Sequence, residues 1–557
     1  MSKLKALLLA STVAFASPVA VLAQEVVTVA GIEATRVVIA PPKTELARII
    51  KAGLSKSYAD AQKGTRAYEQ TQKLYFFYGA RHFEPLWLSE GAYGQVEFSA
   101  NAEKIIDVFK QSELEGFRPS DYITPEIDVT QIGKDPASLA ALETAFSAAA
   151  IRYAQDAFGG RINPLAVNDT WTITPKKINE AELLVKLADS SDPGKVLLAL
   201  SPTQPEFLGL KSALAKFYDG SVIDAAITIP DGKLLKPGMT DERVTLLRQR
   251  LDVPEPEIPE TAGAEAAVDI TYDEPLVEAV KTFQEGLGLN ADGAIGPATI
   301  AALNGGSATT KEDIIANMER WRWEPDDYGD FEVTVNIPEF RLWIMNKDEV
   351  HYTTRVVVGT PKHQTPVFNN EIKHIVVNPY WNVPASIAVN EIKPHLLANP
   401  GYLSGQNMEM LYGGKVVNAS AIDWTQTNIN QFNIRQKPGP GNALGQVKFL
   451  FPNEHDVYLH DTPSKSLFSR SFRAYSHGCV RVENPLDFAD ALLKLEPDMT
   501  AETLKAAFGP KERWFNLKNK IPVHISYFTL RVDADGTIRS YGDVYGLNQR
   551  LKELLAE

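Results

Sequence analysis

Phe331-Glu332-Val333-Thr334-Val335 and Phe340-Arg341-Leu342-Trp343-Ile344 alternate apolar and other residues with a period of two, the pattern of half-buried strands. Strand-like runs continue at Thr354–Val358, His374–Val377, Val447–Phe451 and Val457–His460, so the C-terminal part of the chain is expected to form a sheet domain. Residues 386–445 interrupt these runs with helix-like and Gly/Pro-rich sequence, including Lys437-Pro438-Gly439-Pro440-Gly441. An insertion of that size reads as a functional lid or cap.

Upstream the period changes. From Thr65 to Tyr218 apolar residues recur three and four apart, as in Ile105–Ile106–Phe109 and Ala145–Phe146–Ala149–Tyr153, which predicts a helical scaffold. Glu115-Gly116-Phe117-Arg118-Pro119 and Gly159-Gly160-Arg161-Ile162-Asn163-Pro164 read as helix ends and turns, and no acid–base pair stands out. A smaller helical module follows, with Val244, Leu247 and Leu251 on one helix and Val277, Val280, Phe283 and Leu287 on another that starts near Pro275. Between them Asp252–Glu274 holds eight acids, three prolines and no Lys or Arg, so like-charge repulsion and poor burial predict a flexible loop. A linking helix is expected over Glu312–Trp323.

The 557 residues suffice for about three or four domains. With 44% hydrophobic and 23% charged residues the chain is of ordinary globular composition, and its net charge of −14 without any basic tract argues against nucleic acid as a partner. Lys3 and Lys5, the apolar run Ala6–Ala16, and Val21 and Ala23 at the positions a signal peptidase reads predict a leader cleaved after Ala23. That run is shorter than the ~20 apolar residues of a spanning helix, and no later segment approaches that length, so an exported, soluble mature protein is expected. The single cysteine, Cys479, excludes an intrachain disulfide, a multi-cysteine zinc site and a cysteine-ligated iron–sulfur cluster. In an exported chain such a leftover thiol hints at reactivity.

Cys479 lies in Tyr475-Ser476-His477-Gly478-Cys479-Val480-Arg481-Val482, and His460 ends a strand-like run nineteen positions earlier. A thiol with a reference pKa of ~8.5 is mostly protonated at neutral pH, so an imidazole that takes its proton makes it a strong nucleophile for acyl transfer. Gly478 removes a side chain beside the sulfur, and backbone N–H groups of the turn would stabilise an oxyanion. A lone cysteine is also commonly a small buried hydrophobe, although Ser, His and Gly are poor core neighbours. A metal site from His455, His460, His477 and Cys479 lacks a His-Glu-x-x-His pair or a carboxylate at a familiar spacing, so no metal is expected.

His460, fifteen intervening residues, then Ser476-His477-Gly478-Cys479-Val480-Arg481 is similar to the signature of the L,D-transpeptidase (YkuD-type) catalytic domain. Asn378-Pro379-Tyr380-Trp381-Asn382-Val383-Pro384, Gln436 to Gly445 and Phe451-Pro452-Asn453 resemble its large periplasmic members. Val280-Lys281-Thr282-Phe283-Gln284, Gly286-Leu287, Asp292 to Thr299 and Ala302-Leu303-Asn304 resemble the peptidoglycan-binding domain type 1, a small three-helix bundle. The resemblance implies a multidomain α+β protein: signal peptide 1–23, linker 24–64, helical scaffold 65–230, peptidoglycan-binding domain 231–305, linking helix 306–329, mostly β catalytic domain 330–525 with the cap at about 386–445, and a C-terminal strand and helix 526–557.

It further implies a periplasmic enzyme that needs no cofactor and acts on peptidoglycan stem peptides. Cys479 would attack the third residue of a donor tetrapeptide, release D-Ala, and pass the acyl group from a thioester to the side-chain amine of a second stem, leaving a 3→3 cross-link. His460 matches the general base and acid. His477 would orient the loop, line the oxyanion site or make a structural hydrogen bond, with Gly478 and Ser476 in supporting or oxyanion roles. Arg481 would hold a substrate carboxylate or, the favoured reading, pair with Glu483 or Asp487 to brace the loop. Tyr458 and Trp381 are candidates to line the substrate site, with core packing as the alternative.

The rivals are a carboxypeptidase using water, an enzyme anchoring a protein lysine, and a wall-binding structural protein. A serine D,D-transpeptidase would need Ser-x-x-Lys, which occurs only at Ser2–Lys5.

Overall fold

The computed structural model describes residues 25–28, 36–90, 95–127, 136–219, 229–230, 232–251, 253–254, 256, 270–286, 289–305, 309–347, 349–470, 472–496, 498–533 and 536–557. The expected leader and most of the acidic stretch 252–274 lie outside the described residues. The chain divides into two compact units: one joins residues up to Gln111 with Arg118–Ala154 and Asn179–Leu198, the other Ser112–Phe117, Gln155–Ile178 and Ala199–Glu557.

The first unit is helical, with α1 (Glu45–Asp60), α2 (Arg66–Ala80), α3 (Ala100–Lys110) and most of α4 (Pro136–Gly159). Thr44, Thr65 and Ser99 start the first three by accepting a hydrogen bond from a backbone N–H three residues on, the usual cap for an otherwise unpaired donor. Helix α1 occupies the stretch expected as a linker: Leu46, Ala47, Ile50 and Leu54 form a buried stripe at helical spacing, which the polar residues between them obscure in the sequence. The buried Glu143 accepts from the Tyr78 hydroxyl and from the Leu86 N–H, each at 2.6 Å, and burial raises its carboxyl to about 7.

In the second unit, α5 (Pro205–Tyr218) precedes a small bundle of α6 (Arg243–Leu251), α7 (Glu274–Gly286) and α8 (Pro297–Gly305). Val244, Leu247, Leu276, Val277, Val280, Ile300 and Leu303 close its core. The buried Gln284 fixes the turn before α8, donating to Ala294 O and accepting from Gly293 N–H, each at 2.9 Å.

Helix α9 (Lys311–Trp323) begins with a capping box between Thr310 and Asp313 and is buried on every side from Ala316 to Trp323. Its polar residues therefore need partners, and Asn317, Glu319, Arg320 and Arg322 each have at least one. Asn317 donates to Thr529 Oγ1 and accepts from Thr529 N–H; Arg320 donates to Asn548 Oδ1 at 2.7 Å; Glu319 accepts from Ile162 N–H at 2.8 Å; Arg322 donates to Glu115 O at 2.7 Å. Against it, Phe207, Leu210 and Leu214 of α5 meet Ile314, Met318 and Trp321. Val167, Trp171 and Ile173 join the core of the sheet domain, and Trp171 bridges to Val367. Helical periodicity reads 65–230 as one scaffold, whereas parts of that span contribute to the core of the second unit, because period alone does not say which core a helix joins.

The sheet domain contains β1 (Phe331–Asn336), β2 (Arg341–Asn346), β3 (Glu349–Gly359) and β4 (Phe368–Val377), then the cap strands β5 (Trp381–Asn382), β6 (Met408–Tyr412), β7 (Lys415–Val417) and β8 (Asn433–Gln436). It resumes with β9 (Val447–Leu450), β10 (Leu459–His460), β11 (Ala474–Ser476), β12 (Val480–Val482) and β13 (Arg513–Ser526). The strand order is β11-β3-β12-β10-β9-β4-β13-β1-β2, and β2 also pairs with β3, so the sheet closes on itself around Val333, Leu342, Val356, Ile375, Phe449, Val480 and Val523. The cap sheet, β7-β6-β8-β5, covers its own small core of Ile387, Ile392, Leu396, Leu403, Met410, Trp424, Ile429 and Ile434.

Candidate active site

The strands β10 and β12 run parallel with Leu459 opposite Val480 and His460 opposite Arg481. Since side chains alternate, Leu459 and Val480 enter the core while Tyr458, His460, Cys479 and Arg481 share the other face. All four line a cleft of about 660 Å³. Its opposite wall is the start of the cap: Tyr380, Trp381, Asn382, Val383, Pro384, Ser386 and Ile387. Trp381 thus lies in the cleft wall, on the edge strand of the cap sheet.

His460 is buried and its Nδ1 lies 2.5 Å from the carbonyl oxygen of Asp461. A carbonyl only accepts, so Nδ1 carries the proton and Nε2 presents a lone pair. Asp461 is itself fixed, accepting from Thr462 N–H and Lys465 Nζ at 2.7 Å each and from Gln446 N–H at 2.8 Å. Burial, reinforced by the charge of Arg481, lowers the imidazole to about 3. The half-buried Cys479 points its thiol toward Asp456 O at 3.9 Å, and burial raises it to about 11. At neutral pH the resting pair is therefore a neutral thiol and a neutral imidazole, set up for proton transfer during attack rather than for a standing ion pair.

The loop before Cys479 is braced from within. Gly478 has φ +114°, a region side chains avoid; its N–H donates to Ser476 Oγ at 3.1 Å, and the Ser476 hydroxyl donates to Cys479 O at 2.5 Å. Ser476 and the Gly478 N–H are thus engaged in the turn itself. Beneath it the buried Thr365 hydroxyl donates to Gly478 O at 2.7 Å and accepts from Gly359 N–H at 2.9 Å, and Tyr545 donates to Gly359 O at 2.9 Å. His477 stands at the rim, 2.9 Å from Glu391 of the cap and with its ring 4.6 Å from that of His363.

The favoured bracing role of Arg481 is corrected by the geometry. Glu483 is held by Arg355 through two bonds of 2.7 and 2.9 Å, and Arg481 makes no ion pair among the described residues. Strand alternation explains this: Arg481 faces the cleft, and its Nε is buried without a hydrogen-bond partner. Tyr458 lines the cleft beside the sulfur, its hydroxyl pushed up by burial and by Cys479. His455 also lines the cleft, with Nε2 2.9 Å from Thr172 Oγ1. Among the described residues no three His, Cys, Asp or Glu side chains converge as a metal site.

Sequence reasoning passed over Lys448, Asp461 and Thr365. Lys448 lies directly opposite His460 on β9, and the period-two run Val447–Leu450 carried the signal once β9 was placed beside β10. Thr365 and Asp461 act through backbone contacts that no spacing announces.

Residues 330–511 match the family model described as L,D-transpeptidase catalytic domain (YkuD). Over this sheet domain the chain is similar to the L,D-transpeptidase family. Residues 72–214 match a model described as "Scaffold domain", and residues 241–303 match the "Putative peptidoglycan binding domain" model. A Haemophilus influenzae protein named "Putative L,D-transpeptidase" is 34% identical over 261 residues, which cover 45% of this chain and 52% of that protein. The chain thus spans about half the length of this curated relative. Among solved structures, an L,D-transpeptidase from Xylanimonas cellulosilytica is 16% identical, covering 53% of this chain and 99% of that one at a TM-score of 0.19. Another, from Mycobacterium smegmatis, is 14% identical, covering 35% and 58% at 0.18.

Proposed function

We propose that the protein is an exported peptidoglycan L,D-transpeptidase that forms 3→3 cross-links through a Cys479 thioester. The observation that carries this reading is the shared face of Cys479, Tyr458, His460 and Arg481 in a cleft roofed by the cap. As the thiol attacks the carbonyl of the third residue of a donor stem, its proton passes to His460 Nε2, which the Asp461 carbonyl keeps in the accepting tautomer. His460 then hands the proton to the departing amine of D-Ala. The amine of a second stem enters, gives a proton to His460 and takes the acyl group, and His460 returns that proton to the Cys479 sulfur as the C–S bond breaks. With the Gly478 N–H engaged by Ser476, the oxyanion would draw on other backbone N–H groups of the turn. The binding module would hold the enzyme on the wall. No helix among the described residues is long and apolar enough to cross a membrane.

Incubation with disaccharide-tetrapeptide followed by mass spectrometry tests the proposal. Loss of D-Ala with a 3→3 dimer, absent in Cys479→Ala, supports it. Tripeptide without dimer would replace it with carboxypeptidase activity, and the absence of both products and thioester would leave the wall-binding reading.

A further inference from the structure

Lys448 is a buried cation in the cleft with no anion of its own. Only 8% of its surface is exposed, and it makes no hydrogen bond or ion pair through its side chain among the described residues. Its ammonium lies 5.6 Å from the ring centre of Tyr458 and 5.7 Å from that of Trp514. The carboxylate whose field reaches it, Glu512, is bound elsewhere, accepting from Tyr380 N–H at 2.9 Å and Trp514 Nε1–H at 3.2 Å. A desolvated ammonium is expensive to leave unpaired, and burial already pulls its proton affinity down. Such a group in a cleft is suited to an anionic ligand.

The order of residues across the sheet says which anion. Cys479 borders β12, His460 lies on the next strand, and Lys448 directly opposite His460 on the strand after that. Successive strands are about 4.8 Å apart, so nucleophile, proton donor and ammonium are met in that order along an oblique path, Cys479 lying two residues back from the row that His460 shares with Arg481 and Lys448. A scissile amide laid along it puts its carbonyl at Cys479 and its nitrogen at His460. The α-carboxyl carbon of the leaving residue is then about 2.5 Å beyond that nitrogen, on the Lys448 side. Arg481, on the Cys479 strand, flanks the acyl side instead.

We propose that Lys448 is a specificity-determining residue that binds the α-carboxylate of the amino acid leaving the acyl donor, and of the α-amino acid end that replaces it. The inference rests on the acyl-transfer reading of the site. In the step it serves, the S–C bond forms as the thiol proton goes to His460, the C–N bond breaks, and that proton returns to the departing nitrogen. The amino acid leaves with its carboxylate still on Lys448. An amine entering for the second step occupies the same nitrogen position, so an amine with an adjacent carboxylate fits and a plain alkylamine does not. The site would thereby select stems ending in a free carboxylate at the leaving residue.

The test measures binding and turnover separately. In the Cys479→Ala background, calorimetry compares the tetrapeptide with its C-terminal amide. The free acid should bind at least tenfold more tightly, this preference should fall below about threefold with Lys448→Met, and Lys448→Arg should retain most of it. In the enzyme with its cysteine, Lys448→Met should collapse the free-acid to amide ratio of kcat/KM. Equal losses on both donors would mean that Lys448 only tunes the thiol, and would overturn the proposal, as would an unchanged preference or no binding of the tetrapeptide. If binding keeps its Lys448-dependent preference while no acyl transfer occurs, the acyl-transfer reading fails and the carboxylate site stands.

Discussion

The floor of the cleft is made of short strands, β9, β10 and β12, each locked between neighbours in a closed sheet, whereas its roof is a separate small fold with a core of its own. On the floor His460 is buried and Cys479 half-buried, and desolvation is the largest influence on the protonation of each. The roof meets the catalytic loop through His477 and Glu391, whose side chains are 42% and 50% exposed, a pair worth at most about 1 kcal/mol. What anchors the roof is buried polar structure at its stem. Asn442, 1% exposed, donates to Pro379 O and Lys437 O at 3.0 Å each, and Gln436 donates to Gly441 O while accepting from Ala443 N–H. Leaving such groups unpaired costs roughly 1–3 kcal/mol each. The floor is thus fixed by its neighbours in the closed sheet, and the roof by its own core and its stem.

This contrast is broken most easily at His460. The His460→Ala variant should lose on the order of 10²–10⁴-fold in kcat/KM, measured on tetrapeptide turnover, with the fold retained by circular dichroism. A loss below tenfold would mean that the floor does not carry proton transfer. Next in size is the reactivity of the thiol. With Cys479 at about 11 and the thiolate as the attacking species, its alkylation by iodoacetamide should rise close to tenfold per pH unit from 6 to 9. A plateau below pH 8 would show a standing ion pair instead. His460, neutral above about 3, should add no acidic limb to the rate between pH 5 and 8.

Gly445→Ala probes the join of floor and roof. At φ +59° a Cβ there would come within 2.2 Å of Asp461 Oδ2, so the variant should lose about 1–3 kcal/mol, read as a lower Tm, and lose activity as the Asp461 carbonyl shifts. The smallest effect is expected at the rim. Glu391→Gln should change turnover by no more than about twofold and leave Tm within a degree or two, since a half-exposed pair contributes little. A tenfold change would show that the roof is held by its rim.

Much of this was legible in the chain. The alternation of Phe331–Val335 and Phe340–Ile344 announces β1 and β2, and the resemblance to a known signature singles out His460 and Cys479, which the structure places on adjoining strands. The helices of the small bundle follow from spacing, as α7 shows with Val277 and Val280. The orientation of Arg481 was harder, since its nearest acids in sequence, Glu483 and Asp487, suggest bracing. Glu483 turned out to belong to Arg355, a partner 128 residues away that only sheet pairing supplies. Lys448 was hidden for the same reason: which strand lies beside β10 is a matter of long-range register. Helix α1 was missed because its stripe is narrow and its other faces are polar.

Helix α9 carries a consequence for how this protein can be divided. The matched catalytic domain begins at residue 330, just after a helix whose Trp321, Trp323, Arg320 and Arg322 are all buried. A fragment cut at that boundary would present the seats of two tryptophans to water, and would strip Tyr527 of the Arg320 guanidinium 5.7 Å from its ring. The sequence family marks a portable module there, but the physical seam runs elsewhere. Grafting, truncation or domain exchange would keep a folded catalyst only by carrying α9 and the Trp171 segment along with the sheet.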